Sequence, residues 1–329
     1  MINTITYIKR KPSPHYHSIE GLFSTIKAEV NRCYKTDEVI IRFSGGSPMT
    51  LFKNCLAFNK KRNNIYHITG DIHYLSLVTG KRTVLTIHDI RSAIHGSFLR
   101  RCYIKLFWFW LPALCVKHIT VISEFTKKEL IKLIPFAANK IEVIYNPVKV
   151  QLKYHSKEFN TLLPKILVIG TKTNKNLERT FEALQGIDCE LLVLGKLSEN
   201  QLELLKKYSI QYSSKVNIPY NEVIQAYKDC DFVLFASTYE GFGMPIIEAQ
   251  AIGRPVITSN IGAMKEVALD TACLVDPYDV ESIKNGIQKL IRDEAYRDLM
   301  IKKGLKNVER FSLETISNQY IALYKSIIN

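Results

Sequence analysis

Residues 236–258 read ASTYEGFGMPIIEAQAIGRPVIT, and this stretch decides the fold class. Its start closes the apolar run DFVLFA (231–236), after which the chain turns through Gly241 and Gly243. A helix is expected from Pro245, because the N–H that proline lacks would have no partner in the first helical turn. A second apolar run follows the helix. Strand, glycine turn, helix and strand in this order indicate a parallel sheet covered by helices.

The same alternation continues along the chain, which has 329 residues. Apolar runs of strand length predict strands at 5–8, 38–43, 65–68, 83–88, 118–122, 141–145, 165–170, 189–195, 215–218, 231–236, 255–259 and 272–275. Segments of helical periodicity predict helices near 18–34, 48–60, 97–116, 123–134, 176–185, 198–208, 221–229, 245–252 and 279–293. The pattern predicts an α/β protein with two doubly wound, Rossmann-like parallel-sheet domains that face a cleft.

Charge is distributed unevenly between the two halves. Residues 1–160 carry 25 Lys and Arg against 10 Asp and Glu, a net charge of +15, whereas residues 161–329 carry 20 against 21. A basic half favours an anionic partner: a phosphate-bearing acceptor, an acidic membrane surface or nucleic acid. A merely solubilising surface would explain the same charge.

Composition argues against several classes of protein. No apolar run approaches the ~20 residues that cross a bilayer, and the first residues lack the apolar core of a secretory leader. The seven cysteines are scattered, odd in number and never spaced C-x-x-C, which favours reduced thiols in a cytoplasm. No H-x-x-x-H pair occurs either. The sequence therefore predicts no metal site and no cofactor.

Two carboxylates flank the glycine turn. Glu240 precedes it, and Glu248 lies eight positions later on the first turns of the helix, so both can reach one ligand from different depths. The glycines allow the backbone to approach that ligand closely, and the helix start offers N–H groups with a partial positive charge. These features indicate a site for a diphosphate or for sugar hydroxyls.

With both glutamates in place, this stretch resembles the E-x7-E motif of the retaining GT-B glycosyltransferases of family GT4, also called glycosyl transferases group 1. The segments GRPVITSN and EVALDTACLVDPYDVESI downstream agree with the resemblance. Further similar segments lie at 83–89 (TVLTIHD), 119–130 (ITVISEFTKKEL), 141–148 (IEVIYNPV) and 169–184 (IGTKTNKNLERTFEAL).

The resemblance implies a division of labour between domains. An N-terminal domain at 1–155 would bind the acceptor, and a C-terminal domain at 156–310 would hold the nucleotide-sugar. A final helix at 311–329 would cross back to the N-terminal domain. Residues 148–164 follow neither period and are the predicted linker. Transfer would proceed without an obligatory metal.

Carried over by position, Glu248 resembles the carboxylate that accepts both ribose hydroxyls of the donor, and Glu240 the one beside the transferred sugar. The turn Gly241–Met244 would bind the donor too, with the amides of Phe242, Gly243 and Met244 facing the sugar and the distal phosphate.

Cations are expected on the diphosphate, because the leaving group gains negative charge. Lys172 and Lys175 take that place, although Asn174 stands where the family often has an arginine. The solvated-loop alternative remains open for both lysines. His88 resembles a histidine that reaches the donor sugar from the N-terminal side.

Other candidates are weaker. The loop KRKPSPHYHSIEG (9–21) replaces the glycine-rich loop of many relatives, and its His15 and His17 are possible acceptor contacts only. Asp229 and Asp231 form a D-x-D pair, which we reject as a metal site because it spans a helix end and a buried strand start.

The segment LRRCYIKLFWFWLPALCVK (99–117) combines basic and aromatic residues. Such a helix could lie at a membrane interface or could be a core helix, and the sequence leaves both open.

We therefore expect a retaining, metal-independent hexosyltransferase that moves a sugar from a GDP- or UDP-linked donor to a saccharide or polyprenyl-diphosphate-linked acceptor. The resemblance implies bacterial O-antigen or capsule synthesis as the context, and we expect the protein in the cytoplasm or at the inner face of the membrane. No nucleic-acid partner is expected. Two alternatives remain: another GT-B activity such as a sugar-nucleotide epimerase, or an anionic-surface binding protein with a vestigial donor site.

Overall fold

The computed structural model describes residues 4–11 and 18–328. The chain forms two compact units. One runs to Pro147 and includes the chain from Leu313 onward; the other is Val148–Ser312. The loop histidines His15 and His17 lie outside the described residues.

The first unit is built on a six-stranded parallel sheet with the order β2-β1-β3-β4-β5-β6. Its strands are β1 (Ile5–Lys9), β2 (Thr36–Ile40), β3 (Ile65–Ile68), β4 (Thr83–Ile87), β5 (His118–Val121) and β6 (Ile141–Val143). Every residue of β1, β3 and β4 is buried. Burial on both faces explains why these strands lack the regular apolar–polar alternation of half-exposed strands, and their polar members, such as Lys9, His67 and Thr86, are buried too.

Helices follow the strands of this unit. They are α1 (Ser18–Val30), α2 (Pro48–Ala57), α3 (Ser76–Thr79), α4 (Arg91–Ile94), α5 (Phe98–Ile104), α6 (Leu111–Cys115) and α7 (Glu124–Leu133). A π-helical turn, Lys105–Trp110, joins α5 to α6, and 3₁₀ turns occupy His73–Leu75, Gly80–Arg82 and Pro135–Lys140. The serine caps of α2 and α7 accept hydrogen bonds from Thr50 N and Thr126 N, which explains why those helices begin where they do.

The second unit repeats the plan with the strand order β12-β11-β10-β7-β8-β9, again parallel. Its strands are β7 (Lys165–Ile169), β8 (Glu190–Leu194), β9 (Tyr212–Lys215), β10 (Phe232–Phe235), β11 (Val256–Ser259) and β12 (Cys273–Val275). The chain builds outward from β7 to β9 and then returns to build β10 to β12 on the other side. The order therefore reverses between β7 and β10, and such a switch point is where open α/β sheets bind ligands.

The helices of this unit are α8 (Leu177–Ala183), α9 (Glu199–Lys207), α10 (Tyr220–Asp229), α11 (Met244–Ile252), α12 (Gly262–Ala268), α13 (Val280–Arg292) and α14 (Glu294–Val308), with 3₁₀ turns at Thr173–Lys175 and Glu309–Phe311. Helix α11 is buried at every position from Pro245 to Ile252. Its lack of a polar face is typical of a helix enclosed by its own domain.

The last helix, α15 (Leu313–Ile328), packs against α1 in the first unit. A buried polar chain ties it to the sheet. His67 Nδ1 lies 2.6 Å from Tyr324 Oη, and His67 Nε2 lies 2.7 Å from Thr86 Oγ1. Tyr324 donates in turn to Tyr7 Oη at 3.1 Å. A neutral imidazole supplies the one donor and one acceptor that its two bonds require.

The prediction of two parallel α/β sheets is confirmed, but some elements differ. The strand predicted at 215–218 lies at Tyr212–Lys215, and α12 and α14 were not predicted. All four residues of β9 are exposed, so only its backbone bonds to β8 position this edge strand. Its hydrophobic pattern therefore carried no information about its register.

No helix within the described ranges is long and apolar enough to cross a membrane. All seven cysteines fall within those ranges and carry free thiols.

Candidate active site

The loops after β7 and β10 lie side by side because their strands are neighbours at the switch point of the second sheet. Gly170 directly follows the first of these strands and has a φ of +85°. A Cβ at this position would lie 2.8 Å from Lys175 Cε. Glycine therefore leaves room for the Lys175 side chain to cross the backbone. The Lys175 ammonium then lies 4.6 Å from the centre of the Phe235 ring, at the end of β10.

Lys175 and Glu240 form an ion pair across these two loops. Lys175 Nζ donates to Glu240 Oε1 at 2.8 Å, and Asn174 Nδ2 donates to the same oxygen at 3.0 Å. Both charged side chains are more than four-fifths buried, so solvent screens the pair less than it would at the surface. The arrangement holds one negative and one positive group together beside the start of α11.

Further bonds fasten the two loops. Asn174 Nδ2 also donates to the Tyr239 carbonyl at 2.9 Å, and Thr238 N donates back to the Asn174 carbonyl at 2.8 Å. Asn176, which has left-handed backbone angles before α8, donates to the Ala236 carbonyl at 3.1 Å. These contacts make the loops a preorganised support for Glu240.

The glycine turn has one position that requires glycine. Gly243 has a φ of +115°, and a Cβ there would approach Ile246 Cδ1 to 2.9 Å. Gly241 does not have a positive φ. The Phe242 side chain is buried against the edge of the Phe311 ring, with 5.5 Å between ring centres, so only the backbone of Phe242 could meet a ligand.

Helix α11 begins at Met244, with Pro245 in its first turn as the sequence predicts. The first amides of any helix have no acceptor within the helix and carry its positive dipole end. Gly243 and Met244 provide the amides that open this helix. They are suited to an anion or a sugar hydroxyl beside Glu240.

Glu248 lies one turn further along α11 and is 8% exposed. Tyr227, from α10, donates its hydroxyl to Glu248 Oε2 at 2.7 Å. The Tyr227 side chain is completely buried. One carboxylate oxygen is therefore held by the protein, and the carboxylate is oriented before any ligand arrives.

A cation faces the other oxygen of this carboxylate. Lys149 Nζ lies 4.0 Å from Glu248 Oε1 and 3.5 Å from the centre of the Tyr220 ring. Burial lowers the pKa of Lys149, while the Glu248 charge opposes that shift. Burial and the same carboxylate raise the pKa of both Tyr220 and Tyr227, so both phenols remain protonated.

Lys172 lies on the exposed side of the 3₁₀ turn Thr173–Lys175, and its carbonyl accepts from Lys175 N at 2.8 Å. The two predicted lysines are thus placed differently. Lys175 is inserted between the loops and contacts Glu240, whereas Lys172 is on the surface next to it.

His88, the predicted residue of the first unit, follows β4. Its Nε2–H donates to the Thr69 carbonyl at 2.9 Å, which leaves the lone pair on Nδ1 when the ring is neutral. Burial lowers the pKa of His88 and favours that neutral form. The Phe23 ring packs edge-on against the imidazole at 6.0 Å between centres.

The D-x-D pair serves the framework of the second unit. Asp231 is 4% exposed and accepts hydrogen bonds from Lys165 N at 2.7 Å and Asn160 N at 3.1 Å, besides an ion pair with Lys157. Asp229 accepts from Gln225 at 2.7 Å. Across residues 4–11 and 18–328, no group of three or more His, Cys, Asp or Glu side chains could hold a metal ion.

Sequence reasoning missed three residues of this site. Asn174 appeared only as the replacement of an arginine, and Lys149 only as part of a linker. Tyr227 lies on the buried side of α10, where a tyrosine in a helical pattern looks like an ordinary core residue. A buried tyrosine usually bonds its hydroxyl, and this was the available signal.

Two family profiles match the chain. Residues 154–307 match "Glycosyl transferases group 1", and residues 57–152 match "Glycosyltransferase Family 4". The second match covers most of the described first unit, and the first covers nearly all of the second.

The chain is also similar in sequence to individual glycosyltransferases. The chain is 28% identical over 298 residues to the O-antigen chain mannosyltransferase B of Escherichia coli, covering 82% of this chain and 76% of that protein. It is 30% identical over 238 residues to the capsular polysaccharide biosynthesis glycosyltransferase CapM of Staphylococcus aureus, covering 65% of this chain and 60% of CapM.

Among solved structures, Anabaena Alr3699/HepE in complex with UDP and glucose superposes with a TM-score of 0.78 at 15% identity, covering 98% of this chain and all of that one. This likeness shows a common fold, which is GT-B, with two Rossmann-like α/β domains. The family follows from the two profiles, which match residues 57–152 and 154–307: the chain belongs to the group 1, family 4 glycosyltransferases.

Proposed function

We propose that this protein is a hexosyltransferase that moves a sugar from a UDP- or GDP-linked donor to a saccharide or polyprenyl-diphosphate-linked acceptor, with retention of the anomeric configuration. The observation that carries the proposal is the Lys175–Glu240 ion pair beside the start of α11, with the oriented carboxylate of Glu248 further along the same helix.

Glu248 is proposed to bind the donor ribose. A vicinal diol presents two hydroxyl donors, and a carboxylate accepts both with its two oxygens. Tyr227 occupies one lone pair of Oε2 and leaves acceptor capacity on both oxygens. The carboxylate is paired only loosely with Lys149, so a diol need not displace a close ion pair.

Lys175 and Lys172 are proposed to stabilise the donor diphosphate, together with the amides of Gly243 and Met244. Cleavage of the bond between the anomeric carbon and the phosphate oxygen leaves an extra negative charge on the nucleoside diphosphate. Lys175 is already held in a largely buried position, so its side chain needs little reorganisation to stabilise the negative charge of the leaving group. Fixed cations of this kind support transfer without a metal ion.

Glu240 is proposed to act at the transferred sugar. Its carboxylate would offset the positive charge that develops on the anomeric carbon as the leaving group departs. The acceptor hydroxyl would attack from the same face, forming the new bond to the anomeric carbon and passing its proton to the departing phosphate oxygen. Configuration is then retained. His88 is proposed to accept a hydrogen bond from a donor-sugar hydroxyl through its Nδ1.

The polysaccharide context rests on the relatives, whose names assign them to O-antigen and capsule synthesis. We propose the same context here, with the reaction at the inner face of the cell membrane. An anionic bilayer would suit the +15 charge of residues 1–160 and a lipid-linked acceptor.

The test is a panel of UDP- and GDP-sugars incubated with synthetic saccharide and polyprenyl-diphosphate-linked acceptors, in the presence and absence of EDTA. Release of nucleoside diphosphate together with a glycosylated product of retained configuration, seen by proton NMR, is expected in both conditions. A donor converted to its epimer without any product would favour an epimerase. An inverted product, or activity that EDTA abolishes and Mg²⁺ restores, would contradict the mechanism.

A further inference from the structure

An exposed apolar ridge runs along the helical segment from α5 through the π-helical turn to α6. Its side chains recur at every fourth position: Phe98, Cys102, Leu106, Trp110 and Leu114. Their exposure is high for apolar residues, at 75% for Phe98, 49% for Trp110 and 63% for Leu114. Phe136, from the 3₁₀ turn after α7, extends the ridge by packing edge-on against Trp110 at 6.3 Å.

The π-helical turn keeps this ridge on one side. In an α-helix of about 3.6 residues per turn, every fourth residue drifts steadily around the axis. The turn Lys105–Trp110 has i→i+5 bonds and more residues per turn, so it rotates the pattern in the opposite direction. The average repeat over Phe98–Cys115 is thereby brought close to four. An ordinary α-helix of the same length would turn Leu114 about 160° away from Phe98, because every fourth residue advances by about 40°.

The opposite side of the same segment belongs to the core. Trp108, Phe109 and Ala113 are buried in the hydrophobic cluster of the first unit. Trp108 Nε1 donates to the Asp71 carbonyl at 3.2 Å. The segment therefore cannot rotate to hide its ridge. Of the two alternatives for 99–117, the core helix describes the face that carries Trp108, whereas Trp110 lies at the surface.

The charged residues of the helical segment are all positive. Residues 98–117 contain Arg100, Arg101, Lys105 and Lys117 and no Asp or Glu. Within the described part of the chain, none of these four side chains forms an ion pair with a carboxylate. An apolar line with flanking cations is complementary to the acyl chains and phosphates of an anionic bilayer.

We propose that the ridge Phe98–Leu114 is a membrane-docking surface that inserts at headgroup depth into an anionic bilayer. The proposal deepens the proposed function, since a lipid-linked acceptor would be met at that surface. A lipid partner is favoured because the helical segment carries only positive charges. The indole of Trp110 is also half exposed, as is typical of tryptophans at a lipid–water interface.

Intrinsic fluorescence gives a direct test, since the chain has only two tryptophans. Trp108→Phe leaves Trp110 as the single fluorophore on the ridge. On addition of vesicles containing phosphatidylglycerol at low salt, we expect its emission to shift to the blue and to be quenched by lipids brominated near the headgroup. Pure phosphatidylcholine vesicles should produce little change. If Trp108→Phe fails to fold, the wild-type spectrum minus that of Trp110→Phe supplies the same signal.

A flotation assay with matched variants identifies the face. Leu106→Ser/Leu114→Ser removes two ridge leucines, and Leu56→Ser/Leu162→Ser removes two exposed leucines elsewhere. The ridge variant should bind anionic vesicles at least about tenfold more weakly, because burial of a leucine side chain is a large favourable term. The control should bind like wild type. Binding of both should weaken in ~0.15 M salt, where charges are screened beyond about 8 Å.

Equal vesicle binding by the two double variants would overturn the proposal. A wild-type protein that does not bind anionic vesicles at low salt would overturn it as well. A concentration-dependent dimer in sedimentation experiments that only the ridge variant loses would instead assign the ridge to a second copy of the chain. Titration with UDP and GDP needs no vesicles. Failure of the docking surface and failure of the proposed transferase function are therefore read out separately.

Discussion

The hydroxyl of Tyr227 donates a 2.7 Å hydrogen bond to Glu248 Oε2 in the interior of the second unit. Both side chains are buried, and Lys149 stands 4.0 Å from the other carboxylate oxygen. A buried charge is costly unless it is hydrogen-bonded, so the tyrosine stabilises the carboxylate and orients it at the same time. The proposed ribose contact thus depends on a residue 21 positions away in the sequence.

Tyr227→Phe should show this dependence. The variant keeps the ring but removes the donor, so we expect about 1–3 kcal/mol loss of stability and a several-fold weaker affinity for nucleoside diphosphate, with turnover at saturating donor nearly unchanged. Denaturant unfolding and calorimetric titration measure the two effects. Tyr324→Phe, a buried tyrosine of the first unit, is the control: it should lose stability and keep nucleotide affinity. Normal nucleotide binding by Tyr227→Phe would argue against a positioning role.

Glu248→Ala tests the ribose contact itself. Hydrogen bonds to a charged group contribute about 1.5–3 kcal/mol, so the variant should bind UDP or GDP roughly 10- to 100-fold more weakly. A 2′,3′-dideoxy nucleotide lacks both hydroxyls, and its affinity should be nearly the same for wild type and variant. If the variant loses affinity for the dideoxy compound equally, Glu248 acts on some other part of the donor.

Glu240→Gln separates charge from geometry at the sugar. The amide oxygen of glutamine can still accept from Lys175 and Asn174, so the loops should keep their arrangement. Loss of the negative charge should reduce turnover by roughly 100-fold or more, with near-normal affinity for nucleoside diphosphate, because the interaction strengthens only toward the transition state. Initial rates measure turnover, and calorimetric titration of the same preparation measures the affinity for nucleoside diphosphate. Transfer at the wild-type rate would remove Glu240 from the reaction.

The two lysines should differ in effect, since only Lys175 is inserted between the loops. Lys175→Ala should weaken nucleoside diphosphate binding and lower turnover by at least about tenfold, because it removes a preorganised cation from a partly dry site. Lys172→Ala, at the exposed position, should have a smaller effect that fades with added salt. Identical behaviour of the two variants would contradict the placement of Lys175 as the leading cation.

His67 should make the first unit sensitive to acid. Burial lowers its pKa to about 3, whereas the unfolded chain takes up this proton near pH 6.5. Between these values the unfolded state binds more protons, so stability falls as the pH drops from about 6.5 toward 3, by up to ~1.4 kcal/mol per pH unit. Denaturant unfolding of wild type and His67→Gln across this range compares the two slopes. Parallel slopes would show that His67 does not contribute.

The central strands and the start of α11 could be predicted from sequence because strong local signals specify them. The strand Ile65–Ile68 coincides with its prediction, because a strand buried on both faces is rich in apolar residues even though it includes the buried His67. Pro245 and the glycine turn predicted where α11 begins. The same stretch of sequence also marked Glu240 and Glu248 as candidate site residues. The predicted position of edge strand β9 was wrong because all of its side chains are exposed to solvent, so no apolar pattern marks the strand.

Sequence by itself determined the fold class and the residue types of the proposed donor site, because period and turn chemistry act over a few neighbouring positions. Only the tertiary structure decided which of those residues meet. The reversal of strand order between β7 and β10 brings Lys175 to Glu240 across 65 positions. A π-helical turn buries Trp108 and exposes Trp110, two positions later. Pairings of this kind depend on how strands are ordered and helices packed, and no local pattern encodes that.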